Sequence, residues 1–165
     1  MEQWQSFFVA QAGASAALTG LLFVAVSINL THILRLDSEF NSRLADRAFG
    51  ALVTLIGILL ASSILLVPTS STIIPGVGLL VIGGIDVVYQ LLNQTRRWRS
   101  IDKQYRVRSA IVGSVGVLAA AFIAVAGIAI LLFGFGGIAW LVVSVVLAYV
   151  FAIEEAWVLL VEINR

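Results

Sequence analysis

Long apolar runs dominate the chain, separated alternately by short uncharged segments and longer charged ones. The runs cover residues 7–30, 48–67, 74–92, 109–133 and 138–161. A helix needs about 20 mostly apolar residues to cross the hydrocarbon core of a bilayer, and each run meets that length. The pattern therefore predicts an all-α fold, an integral membrane bundle of five transmembrane helices. The connections at 68–73 and 134–137 are short and carry no charge, whereas those at 31–47 and 93–108 are long and charged.

Charge orders these elements. Arg35, Arg43 and Arg47 fall in the first connection, Arg96, Arg97, Arg99, Lys103, Arg106 and Arg108 in the third, and Arg165 ends the chain. These are all 10 of its Lys and Arg residues. With five crossings every one lies on the same side, and the excess of Lys and Arg in cytoplasmic loops makes that side the cytoplasm. The expected topology is N-out and C-in. Trp4 and Trp140 then stand at the outer interface, where aromatic belts form.

Composition agrees with a lipid environment. The 165 residues are 61% hydrophobic and 12% charged, against about 45–50% and about 25% in soluble domains. There is no cysteine, which removes disulfides and thiolate chemistry. The first apolar run has no basic segment before it and exceeds a signal-peptide core in length, so it reads as a retained span. The whole of 1–165 reads as a single membrane domain.

Two helices carry small residues at four-residue spacing: Ala12, Ala16 and Gly20 in the first run, and Gly116, Ala120 and Ala124 in the fourth. Lipid tails are as apolar as leucine, so membrane helices associate through close backbone approach along such faces. The two stripes are expected to be helix-packing seams, within one subunit or between copies of a homo-oligomer.

The residues that point to chemistry are acids inside apolar runs: Asp86 in the third, Glu154 and Glu155 in the fifth. An acid at the centre of a membrane helix costs about 2.5–3.5 kcal/mol on the insertion scale, so it turns toward protein or a watery cavity. Successive helical side chains diverge by about 100°. Glu155 therefore shares a face with Ser144, Ala148 and Ala152, whereas Glu154 joins Leu147, Val150 and Phe151, and Glu155 is the better candidate for the interior. Asp86 heads a polar stripe through Tyr89, Gln90 and Asn93, and the first run adds Gln11, Ser15 and Asn29. Two readings follow. Gln11, Ser15, Asn29, Asp86 and Glu155, with Glu154 beside them, line a polar path for protons or cations; or the acids pair with Arg106, Arg108 or backbone donors and lock the bundle.

The basic segment Arg96, Arg97, Arg99 and Lys103 suits anionic lipid headgroups or an acidic membrane-protein partner, and topology alone also accounts for it. Nucleic acid is not an expected partner, since no folded nucleic-acid module accompanies the charge. His32 is the single histidine, too little for a typical metal site, and neither a metal nor a cofactor is expected. Gly134-Phe135-Gly136-Gly137-Ile138-Ala139 fits a dinucleotide-binding spacing but has no strand before it. No nucleophile and base are assembled by any motif, and the chain does not read as an enzyme.

The segment Phe7-Phe8-Val9-Ala10-Gln11-Ala12-Gly13-Ala14, continued by Ala17-Leu18-Thr19-Gly20-Leu21-Leu22-Phe23-Val24-Ala25-Val26-Ser27, resembles small multi-pass membrane proteins of actinobacterial type, some of them labelled modulators of the FtsH membrane protease. The resemblance covers the first run and extends to the rest in hydropathy. It implies membrane residence and, through that label, a regulatory alternative to transport: a non-transporting interaction module. The channel- or transporter-like reading is the leading expectation.

Overall fold

The computed structural model describes the backbone over residues 2–35, 38–100 and 106–163, and side chains over 4–28, 46–95 and 110–157. The architecture is all-α, with no strand among the described residues. Helices α1 (Glu2–Arg35), α2 (Ser38–Leu66), α3 (Ile73–Ser100) and α4 (Arg106–Phe133) are followed by a 3-10 turn (Gly134–Ile138) and α5 (Ala139–Ile163). Four stretches are long and apolar enough to cross a membrane: Trp4–Ile28, Asp46–Leu66, Ile73–Thr95 and Ala110–Trp157. The last covers 48 residues, too many for one crossing at about 1.5 Å per residue, and it is folded back on itself at the 3-10 turn.

The helices outrun the apolar segments that predicted them. Residues 31–35 and 38–47, and likewise 93–100 and 106–108, are helical, although their charge reads as loop. Hydropathy stops where the hydrocarbon stops, whereas helix formation needs only residues without a breaker. Neither Pro nor Gly occurs in 31–47 or 93–108; the first contains the good helix formers Leu, Arg and Ala, and the second Arg, Lys and Gln.

The breakers mark the other end of the bundle. Pro68 follows the close of α2, and Pro75 lies in the first turn of α3, where a missing N–H is harmless. Thr72 starts α3, its carbonyl accepting the Gly76 N–H at 3.0 Å. Between α4 and α5, Gly134 takes a left-handed backbone with φ +68°, which a side chain disfavours by about 1–2 kcal/mol. Gly134→Ala is accordingly expected to lower stability by about 1 kcal/mol, read as a shift in the denaturant midpoint. Gly137 lies against the backbone of Ala129 and Ile130. Both glycines serve the turn, whereas Gly136, the second glycine of the dinucleotide-like spacing, has open space where a side chain would stand.

Consecutive helices run antiparallel. The register is clearest between α3 and α4, where Gly76 meets Leu131 and Gly127, Gly83 meets Ala124, and Gly127 meets Leu80. A β-carbon on Gly83 would collide with the Ala124 amide nitrogen and lie 2.9 Å from its α-carbon, and one on Gly127 would lie 2.7 Å from the Leu80 nitrogen. The α3–α4 pair thus has backbone against backbone, the arrangement small residues permit in membrane helices. In the α4–α5 hairpin, the Ser144 hydroxyl donates to the Ala119 carbonyl at 2.7 Å, and Trp140 stacks on Phe122 with centroids 5.8 Å apart.

Helix α2 is the hub. It touches α1, α3, α4 and α5, whereas among the described residues α3 makes no contact with α1 or α5. Helices α1, α5, α4 and α3 form an arc around it, open between α1 and α3, where Phe49, Ile56 and Leu60 of α2 are exposed. The main core collects Phe8, Ile58, Leu65, Leu79, Ile123, Ile130, Ile138 and Leu141 at the Pro68 end. A smaller cluster of Leu22, Ala48, Ala51, Leu55 and Ala152 lies toward the Arg47 end.

The two expected seams have different fates. On α4, Gly116 lies against the Phe151 ring, Ala120 is fully buried, and Ala124 meets Gly83, so this stripe packs inside the subunit. On α1, the buried side is the line of Phe8, Ser15 and Leu22. Ala12 is half-buried, Ala16 and Gly20 are exposed, and Gly13 and Gly20 have open space where a side chain would stand. Most of that stripe faces away from the bundle.

Candidate functional site

Among the described residues, most of the buried polar side chains fall into three clusters rather than one path. The first lies between α2 and α3. Their antiparallel pairing sets Gly57 against Asp86 and Thr54 against Gln90, and Asp86, Gln90 and Asn93 are all buried. The Gln90 amide donates to Thr54 Oγ1 at 2.7 Å and reaches Asp86 Oδ1 at 3.5 Å. Asn93 Nδ2 approaches the Asp46 carbonyl at 3.5 Å. Asp86 Oδ2 is buried and has no hydrogen-bond partner among the described residues. No arginine stands beside Asp86 among them, and α4 offers no titratable side chain between Ala110 and Phe133.

The second cluster joins α2 to α5. Arg47 Nε meets Glu155 Oε2 at 2.7 Å, with Glu155 wholly buried and Arg47 26% exposed. Ser144, Ala148 and Ala152 lie buried on the same face as Glu155, while Glu154 is exposed. Small residues along that face let α5 lie close enough to α2 for a guanidinium to reach the acid. A buried carboxylate with a hydrogen-bonded guanidinium is held as an ion pair, and removing one partner strands the other's charge.

The third cluster lies between α1 and α5. Ser15 Oγ and the Tyr149 hydroxyl are 3.1 Å apart, and the Tyr149 hydroxyl also approaches the Gln11 carbonyl at 3.4 Å. Gln11 Oε1 is buried without a partner among the described residues, as is Ser62 Oγ of α2.

The path read from the sequence is therefore divided: Gln11 and Ser15 belong to the α1–α5 contact, Asp86 to α2–α3, and Glu155 to α2–α5. The reason is the hub position of α2: among the described residues α3 packs against α2 and α4 and not against α5 or α1. Periodicity shows which face of a helix is polar but not which neighbour that face meets. The partner described for Glu155 is Arg47, while the expected partners Arg106 and Arg108 lie outside the residues whose side chains are described. Asn29, Arg96, Arg97, Arg99 and Lys103 lie outside the residues whose side chains are described.

Sequence reasoning missed four residues that shape these clusters. Thr54 and Gly57, which face Asp86, sit in an apolar run where neither is conspicuous. Their signal is the i, i+3 placement that sets them on one face of α2. Tyr149 is masked by its aromatic ring, and Arg47 by its place in a charged segment that reads as loop.

This arrangement defines a multi-pass helical bundle fit for a membrane, with an unpaired buried carboxyl in one seam and an ion pair in another. The chain matches no family model, no curated protein and no solved structure.

Proposed function

We propose that the chain crosses a bacterial cytoplasmic membrane five times, N-terminus outside and C-terminus inside, and acts as a small homo-oligomeric channel- or transporter-like protein in which Asp86 binds a proton or small cation. The observation that carries this is the bare Oδ2 of Asp86. An acid inside a membrane helix is costly and is usually kept for ion or proton handling, and a structural role alone would have satisfied both its oxygens. Glu155 is assigned instead to holding α5 against α2. Reversal of the chain at Gly134 divides the long Ala110–Trp157 stretch into two crossings, and the basic residues then share the cytoplasmic side.

The bare outer face of α1 favours assembly, since Ala16, Gly13 and Gly20 leave room for a second helix to approach closely. The same face supports a second reading, a non-transporting module that docks on another membrane protein, such as a membrane protease, aided by Arg96, Arg97, Arg99 and Lys103. Flux in proteoliposomes separates the two. Transport predicts proton or cation flux that falls to the background of protein-free vesicles in Asp86→Asn while helical content and assembly persist. A purified protein with no flux, together with a partner crosslinked in membranes through Gly20→Cys, would favour the docking module.

A further inference from the structure

The ligand of Asp86 is narrowed by what surrounds its bare oxygen. The point where Gly57 would carry a β-carbon lies 3.4 Å from Asp86 Oδ2, 3.8 Å from Ile123 Cδ1 and 4.0 Å from Ile82 Cγ2. Three helices thus contribute the glycine backbone and two isoleucine side chains to this side of the carboxyl. Hard metal cations take about six to eight oxygen ligands. Here the nearest polar neighbour is the Gln90 amide, which directs its N–H donors toward Thr54 Oγ1 and Asp86 Oδ1. Donors repel a cation, and the Thr54 hydroxyl together with the carboxyl falls far short of that number of ligands. A proton needs only one lone pair and no coordination shell.

The approach to the carboxyl is also unequal from its two sides. Toward the Arg47 end, Gln90 and then Asn93 continue the buried polar face of α3, Asn93 reaching the Asp46 carbonyl. Toward the Pro68 end, Leu79, Ile58, Leu65, Ile123 and Ile130 close the core, each 3% exposed or less. The buried Ser62 of α2 is a lone hydroxyl with no hydrogen-bond partner among the described residues, so no chain of polar side chains continues there. The titratable or charged side chains of the described neighbours are few: Asp46 and Arg47 on α2, Tyr89 on α3 itself, and none on α4 between Ala110 and Phe133. Arg47 is engaged with Glu155.

Building on the transport reading above, we infer that the species bound at Asp86 is a proton and not a metal ion, and that it is exchanged in this conformation with the Arg47 end of the bundle. A hydronium arriving along Gln90 and Asn93 gives its proton to Oδ2 and leaves as water; the O–H bond formed turns the carboxylate into a neutral acid, and release reverses the step.

Infrared difference spectroscopy on the purified full-length protein in detergent tests this, because the carbonyl stretch of a protonated carboxyl is resolved from that of a carboxylate. The expected result is a carboxyl band that responds to pH, disappears in Asp86→Asn, shifts in Gly57→Ala, and does not change when Na+, K+ or Mg2+ is titrated at constant pH. A wild-type band that survives Asp86→Asn, or saturable displacement of the band by one of those cations, would overturn the assignment. If Asp86→Asn fails to fold, the Gly57→Ala shift decides, since that methyl lands beside Oδ2 and no other acid. Sidedness is read in sealed vesicles sorted by orientation: the band should follow a pH jump first when the Arg47 end faces it, and an equal response from either side contradicts one-ended access. Absence of flux with the band intact would sink the transport reading alone; Na+ flux with no carboxyl band would sink the proton site alone.

Discussion

Arg47→Ala is expected to lower the stability of the bundle by about 3 kcal/mol, at the lower end of the range for breaking a buried ion pair because the arginine retains some contact with solvent. The cost does not measure the attraction between the two charges. It comes from Glu155, which is fully buried and would lose the guanidinium that now compensates its removal from water. Glu155→Gln combined with Arg47→Met should therefore recover most of the loss, since replacing both members of a buried pair is often neutral. Equilibrium unfolding of the two single variants and the double variant in mixed micelles reads the cycle. Single variants within about 0.5 kcal/mol of the parent, the range of ordinary surface changes, would mean that the pair contributes nothing.

Gly83→Val is the second large effect, with an expected loss of about 3 kcal/mol or misassembly of the α3–α4 pair, the upper range for overpacking a core. Its neighbour supplies the control. Gly84 has nothing within 4 Å of where a β-carbon would stand, so Gly84→Val should stay within about 0.5 kcal/mol. The two adjacent glycines are indistinguishable by composition, and only the backbone of Ala124 behind one of them separates their fates. Unfolding midpoints for the two variants check the contrast; equal losses would refute the backbone-to-backbone seam.

What the sequence discloses here follows the physics of each signal. Hydropathy finds apolar helices because lipid imposes length and composition on them directly. It underestimates their extent, as the charged helical segments at 31–35 and 38–47 show, because helix propensity and hydrophobicity are different quantities. The interior placement of Glu155 is readable from the small residues Ser144, Ala148 and Ala152 on its face. Its partner is not readable, since Arg47 lies 108 positions away and pairing depends on which helices are neighbours. The same gap explains the polar path: Asp86 and Glu155 are both acids in apolar runs, yet only the hub position of α2 reveals that one is paired and the other bare. The small-residue stripes illustrate it again. Spacing predicts two seams with equal force, and packing turns the α4 stripe inward and much of the α1 stripe outward. The tighter contact made by Gly76, Gly83 and Gly127 was available as a seven-residue recurrence of glycine on α3, without any sign of which helix it met.

The separation of Asp86 from Glu155 by α2 is the claim on which the account turns, and disulfide crosslinking tests it without background because the native chain has no cysteine. Paired cysteines at Gly57 and Asp86, where the β-carbon position of one lies 3.4 Å from the carboxyl of the other, are expected to crosslink within one chain. Cysteines at Arg47 and Glu155 are expected to be joined by a short thiol-reactive bridge that replaces the length of the two side chains, while cysteines at Asp86 and Glu155 are expected to be joined by neither. Ready crosslinking of the Asp86 and Glu155 positions within a single subunit would contradict the arrangement.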